Sequence, residues 1–281
     1  MLKRNKVINL LLGVFFCLEV GYFLNLETNK IMIKKIIIPD KKLADVFQGS
    51  RVIQISDLHI KKIGYREKEL IRIIKNIAPD IIFITGDLLS NNHNTTAVTQ
   101  LVNTLGKIAT VIAVPGNTDH LVKGYKKDIN LITNLSFNSN VYLLINQSLE
   151  LTVQQKSYVK KIYILGLDDN YTWNDDFFKV MLGIPSRAPK ILLVHAPNII
   201  EKIDASDINL VLSGHTHGGQ IVFPFIGPIV VNRVCHSKKK YISGLYFDEG
   251  TKLYVNQGIG TAIIPLRLFC RPEITFIQFD A

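Results

Sequence analysis

Between Arg51 and His120 the chain alternates between two hydrophobic periods, and this restricts its fold more than any other feature. "RVIQISDLHI" is an apolar run that breaks into polar residues at Ser56. "REKELIRIIKNIA" follows, with Leu70, Ile73, Ile74 and Ile77 on one face of a helix. "PDIIFITGDLL" reads as a second strand, "TTAVTQLVNTLGKI" as a second helix and "ATVIAVPGNTDH" as a third strand. Strands joined through helices run parallel, so the segment predicts a parallel sheet. Ligands of such sheets gather beyond the carboxyl ends of the strands.

Strand patterns dominate the later half. "KIYILGLDD", "KILLVHAPN", "INLVLSGHTHGGQ", "KLYVNQGIG" and "EITFIQFD" all fit, with a helix expected after Pro197. "KIMIKKIIIPD" (Lys30 to Asp40) reads as a strand ahead of the alternating region. No internal repeat or low-complexity linker interrupts the chain. Its 281 residues, 47% of them hydrophobic, suffice for one large core. The expected organisation is an N-terminal segment over residues 1–28 and one catalytic domain over 29–281.

"VINLLLGVFFCLEVGYFLNL" (Val7 to Leu26) has the length of a bilayer-crossing helix. The basic "MLKRNK" precedes it, and no A-x-A-like cleavage site follows, so an uncleaved anchor is expected. Glu19 and Asn9 weaken the span, because a carboxylate at mid-membrane costs a few kcal/mol. More lysines follow the run (Lys30, Lys34, Lys35, Lys41 and Lys42) than precede it, which leans the domain toward the cytoplasmic side.

The net charge of +10 favours anionic partners, phosphate esters and anionic lipids among them. No zinc-finger spacing, RNA-binding signature or basic heptad helix is present, so nucleic acid is not an expected partner. Cys17, Cys235 and Cys270 form neither a disulfide framework nor a thiolate zinc motif.

The chemistry gathers where strands break. Asp57-x-His59, Gly86-Asp87 and Gly116-Asn117 end the three early strands; His195 and His215-x-His217 end two later ones. Each piece alone reads as readily as a turn or a satisfied core residue. Their recurrence at successive strand ends does not. Mixed imidazole and carboxylate ligands suit Mn²⁺, Fe or Zn²⁺ better than Mg²⁺ or Ca²⁺, and their number exceeds one ion's shell.

The ordered set "SDLH", "GDLL", "GNTDH", "VHAP" and "SGHTHGGQ" resembles the calcineurin-like metallophosphoesterase superfamily. The tail, "NQGIGTAIIPLRLFCRPEITFI", is similar to a membrane-associated branch with YkuE-type phosphoesterases and a UDP-2,3-diacylglucosamine pyrophosphohydrolase. The resemblance implies an α/β fold, a four-layer α/β/β/α sandwich of two mixed sheets flanked by helices. It implies two divalent metal ions, Mn²⁺ foremost. Asp57, His59 and His217 would hold one ion; Asn117, His195 and His215 would hold the other; Asp87 would bridge them. The glycines about the His215–His217 pair are expected to let backbone pass close to the imidazoles. The implied reaction is attack of a metal-bound hydroxide on a phosphodiester or pyrophosphate.

One position departs from the pattern. Where many members place a histidine directly after Gly-Asn, this chain has Thr118, then Asp119 and His120. His120 is expected to take over as the general acid. Arg267 and Arg271 are candidate phosphate ligands, since guanidinium matches phosphate in a bidentate fork. His93 reads as solvated; the lysines after His236 read as a solvated loop or as a clamp for substrate phosphate or lipid headgroups. "IVFPFIGPIVV" reads as a buried strand or hairpin, or as an apolar wall for acyl chains or a bilayer. A lipid-linked substrate such as UDP-2,3-diacylglucosamine is therefore expected ahead of a soluble cell-envelope phosphodiester. A non-catalytic scaffold is the alternative of another class, and the complete ligand set argues against it.

Overall fold

A computed structural model describes residues 15, 17, 19–90, 94–120, 130–133, 135, 137–154, 159–229, 240–248 and 250–281. The apolar residues at 7–14, His93, Cys235 and His236 lie outside the described residues. In chain order the strands are β1 (Met32–Pro39), β2 (Val52–Ile55), β3 (Ile81–Thr85), β4 (Thr110–Val114), β5 (Val141–Leu143), β6 (Gln147–Gln154) and β7 (Val159–Gly166). They continue with β8 (Lys190–Leu193), β9 (Leu210–Ser213), β10 (Val222–Phe223), β11 (Gly227–Pro228), β12 (Gly244–Asp248), β13 (Thr251–Val255) and β14 (Glu273–Asp280). The helices are α1 (residues 19–29), α2 (Lys41–Phe47), α3 (Tyr65–Ile77), α4 (Thr95–Gly106), α5 (Asn130–Thr133) and α6 (Phe177–Met181).

Two six-stranded sheets result, in the orders β1-β14-β2-β3-β4-β5 and β12-β13-β9-β8-β7-β6. Both are mixed. In the first, β2 to β5 are parallel, as the β-α-β-α-β pattern requires, and β14 runs against β2. In the second, β7, β8, β9 and β13 are parallel and the edge strands β6 and β12 antiparallel.

The period of two along each strand sorts side chains into layers. In β3, Ile82 and Ile84 pack with Leu70 and Ile74 of α3 and Leu101 and Leu105 of α4. Ile81 and Phe83 point the other way, into a seam shared with Ile191 and Leu193 of β8 and Leu210 and Leu212 of β9. On the far side of the second sheet, Leu192 and Val211 pack with Val180 of α6 and with Ile199. Three buried clusters thus divide helices, sheet, sheet and helices into the expected layers. The helix expected after Pro197 is a short 3₁₀ turn, Pro197–Glu201.

Among the described residues, no helix is long and apolar enough to cross a membrane. The last turn of α1 is built into the domain rather than set apart from it. Glu27 and Thr28 are buried, and Glu27 pairs with Arg271 at 2.6 Å.

Candidate metal centre

The site lies where the carboxyl ends of parallel strands from both sheets meet. Asp57 and His59 follow β2, Asp87 follows β3 and Asn117 follows β4; His195 follows β8, and His215 and His217 follow β9. Gln54 ties the two sets of loops together. Its Nε2 donates to Thr85 Oγ1 and to the Ser213 carbonyl, both at 2.9 Å.

Six of the seven expected ligands are buried, and Asn117 is half-buried. Asp57, His59 and His217 offer atoms that converge in one group; Asp57, Asp87 and His195 form a second. His59 Nε2 and His217 Nε2 are 3.0 Å apart, with the rings stacked at 4.9 Å. His217 Nε2 lies 3.3 Å from Asp57 Oδ1. Asp87 faces both ways, its Oδ2 3.4 Å from His59 Nε2 and its Oδ1 3.4 Å from His195 Nε2. His215 Nδ1 is 3.1 Å from His195 Nε2.

The surroundings of these groups fit a cation. His195 Nδ1 donates to the Thr85 carbonyl at 2.8 Å, which orients the ring and leaves Nε2 facing the site. Among the described residues, Asn117 Oδ1 is buried with no hydrogen-bond partner, which leaves an acceptor unpaired on the loop after β4. Burial, with the neighbouring Arg267 charge, holds His217 well below its ordinary pKa, and burial lowers His59 too. Both rings are therefore neutral, with lone pairs to give. Burial alone would lower His195, but the Asp87 carboxylate outweighs it and pushes the imidazole up to about 10. Burial likewise works upward on Asp87, yet the charge and hydrogen bond of His195, with the Thr118 amide, hold its carboxyl far below the usual range. Burial raises Asp57. The negative field that holds a proton on His195 would equally hold a divalent cation.

The backbone is strained at the site. Asp57, His59, Asp87, His215 and His217 all adopt positive φ, between 43° and 71°, a region that favours glycine. The glycines about the His215–His217 pair have a different task from the one expected of them. A side chain at Gly214 would strike Ser56 Oγ and Asp57 Oδ2, and one at Gly218 would meet Cys270 Sγ at 2.7 Å. Those two make room for the aspartate and for the layer beneath, while Gly86 and Gly116 make room for the His195 ring.

His120 is buried three residues after Asn117, with its Nε2 2.6 Å from Asp168 Oδ1. Burial works against its charge, but Asp168 prevails and its pKa is raised. Asp119 accepts from the amides of Leu88, Leu89 and Gly116, locking the loops after β3 and β4 together. Burial and the Asp87 charge push its carboxyl up to about 7.

Of the two arginines expected to face phosphate, Arg267 is turned inward. Arg267 is fully buried and donates to the carbonyls of Gly260, Cys270, Gln257 and His217 at 2.8–3.3 Å. Its Nη2 lies 3.3 Å from His217 Nδ1. Those contacts occupy the fork from within the protein, beneath a metal-ligand candidate. Arg271 is engaged by Glu27.

The residues that sequence reasoning passed over sit on the loop after β7. Tyr171 packs its ring 4.9 Å from that of His215. Asn170 exchanges hydrogen bonds with both backbone groups of Ala196, next to His195. The signal was available, since "KIYILGLDD" breaks into carboxylates as the other strands do.

Carboxylates and an imidazole after β2 and β3 thus face imidazoles after β8 and β9 across one site, the donor set of a metallophosphoesterase. The calcineurin-like phosphoesterase family matches residues 50–219, and the chain belongs to that family. It is 36% identical over 256 residues to the metallophosphoesterase YkuE of Bacillus subtilis, covering 89% of this chain and 84% of that one. It is 28% identical to YkoQ of the same organism, covering 92% and 93%. A Bos taurus relative, described as a transmembrane protein with a metallophosphoesterase domain, is 30% identical over 87% of this chain and 56% of its own length.

Proposed function

We propose that the protein hydrolyses a phosphodiester or pyrophosphate at a centre for two divalent cations, Mn²⁺ first. Asp57, His59 and His217 would hold one ion and Asn117, His195 and His215 the other, with Asp87 shared. The observation that carries this reading is Asp87, whose two oxygens each face a different imidazole. When bound, the cations would neutralise phosphate oxygens and lower the pKa of water. The protein's own residues supply the rest. Gln54 fixes the spacing of the two loop sets, and the Thr85 carbonyl orients His195. The Thr118 amide donates to Asp87 Oδ1 at 2.9 Å and restrains its carboxylate. His120, held through Nε2 by Asp168, is the group we assign to protonate the leaving oxygen.

A lipid-linked substrate at the membrane, such as UDP-2,3-diacylglucosamine, ranks ahead of a soluble envelope phosphodiester. The apolar N-terminal sequence and the exposed hairpin support that order. The test compares wild type and Asp87→Asn for metal content and for Mn²⁺-dependent turnover of an aryl phosphodiester, with a UDP-linked lipid in parallel. Asp87→Asn should lose bound metal and more than about 10²-fold in rate. Full metal loading and full turnover in that variant would end the shared-carboxylate reading.

A further inference from the structure

We infer that the β10–β11 hairpin tip, the 261–265 loop, Phe269 and the exposed residues of α1 together form a docking face for a phospholipid bilayer, beside the metal centre. It rests on the membrane reading proposed above and stands apart from the identity of the phosphoester cleaved.

The face is apolar where a protein surface is ordinarily mixed. Phe225 is 108% exposed, Ile226 78% and Ile263 70%, with Ile264, Phe269, Tyr22 and Phe23 also exposed. Neither Pro224–Ile229 nor Thr261–Pro265 contains a charged residue. Apolar groups scattered singly need no occupant, but groups on one frame do.

That frame is Gln220, itself buried three residues after His217. Its Nε2 donates to the carbonyls of Ala262, Ile264 and Leu266 at 2.7–3.0 Å, and its Oε1 accepts from the Ala262 amide at 2.8 Å. The hairpin is anchored on the same strip, since the Val222 amide donates to the Leu268 carbonyl and the Leu268 amide to that of Gln220, both at 3.0 Å. Phe269 then meets Phe23 of α1 at 6.1 Å. Side chains that would lower their free energy by folding inward are instead held out by hydrogen-bonded backbone.

The bilayer is favoured over other occupants by what borders the face. Asn25 of α1 and Pro265 of the loop line a cavity of about 410 Å³ with His59, Lys61, Lys62 and the paired Arg66 and Glu67. Cationic side chains next to exposed apolar ones match anionic headgroups above acyl chains. The residues before α1 are apolar from Val7 to Gly13 apart from Asn9, with Lys3, Arg4 and Lys6 ahead of them, and the chain carries +10 overall. In this placement the cavity beside His59 is turned toward the headgroups.

The full-length protein allows a direct test, because Trp173 is its single tryptophan. F225W and I263W are mixed with phosphatidylcholine–phosphatidylglycerol vesicles whose acyl chains carry bromine. Docking predicts quenching at least about twofold greater than in wild type, which reports Trp173 alone. Quenching equal to wild type overturns the proposal even if the protein sediments with vesicles. In that event, dissociation of a dimer by F225D/I226D assigns the face to a second copy, and a monomer throughout assigns it to the chain's own N-terminal segment. Turnover of a soluble aryl diester, measured on the same F225D/I226D sample, should be unchanged. Its absence in wild type, with quenching retained, would strike the hydrolytic reading and leave the docking intact.

Discussion

As the proposed general acid, His120 would stand in for the expected histidine without occupying its place. It lies two residues beyond the position where a histidine was expected, in a 3₁₀ turn that brings it back to the loop after β7. With Nε2 engaged by Asp168 at 2.6 Å, Nδ1 is the nitrogen left for a leaving group. An acid must be protonated to act, and Asp168 raises the pKa of His120. Activity should therefore fall as pH climbs through that raised value, and Asp168→Asn should move the alkaline limb to lower pH. His120→Ala should cost about 10²–10⁴-fold with a poor leaving group and far less with an activated aryl ester. Rate profiles for both esters check this, and equal losses would take the acid role away from His120. The candidate ligands were legible because polar residues interrupted apolar runs. Arg267 was not, since a guanidinium that satisfies itself on carbonyls looks, in a sequence, like one that waits for phosphate.

At the level of elements, Asp40 joins the two sheets outside the seam. It caps α2 by accepting from the Leu43 amide at 3.0 Å. It also accepts from Lys252 Nζ at 2.9 Å and from Asn209 Nδ2 at 3.2 Å, both in or beside strands of the second sheet. Burial works upward on this carboxyl, but these bonds outweigh it and its pKa is lowered. The stabilisation is thus present above the ordinary aspartate range and disappears as pH falls through the lowered folded value. Asp40→Ala should cost about 2–3 kcal/mol near neutral pH, one part cap and one part unpaired partners. Urea unfolding at neutral pH and near about pH 3 should show the gap between variant and wild type closing in acid. The strands and helices of the alternating half could be read from period and length. The exposed hairpin could not, because "IVFPFIGPIVV" has the composition of a core strand, and only three-dimensional contacts decide what covers it.

The whole molecule is two sheets pressed together by a buried seam, with the candidate ligands spread over both. Phe83 is central to that seam and fully buried. Phe83→Ala should cost about 3–5 kcal/mol of stability, read from denaturant midpoints, with an unchanged midpoint counting against the seam. The parallel half of this arrangement followed from sequence, because crossover helices leave no other solution. The insertion of β14 between β1, which it parallels, and β2, which it opposes, did not, since pairing between residues about 220–240 apart leaves no local trace.

The docking of α1 has a mechanical consequence. Thr28 Oγ1, in the last turn of that helix, accepts from the Arg267 amide, and the same arginine's guanidinium grips the carbonyl of His217. Two hydrogen bonds and one side chain therefore span from the N-terminal helix to the imidazole layer. The N-terminal helix thus belongs to the same hydrogen-bonded layer that holds His217 in place.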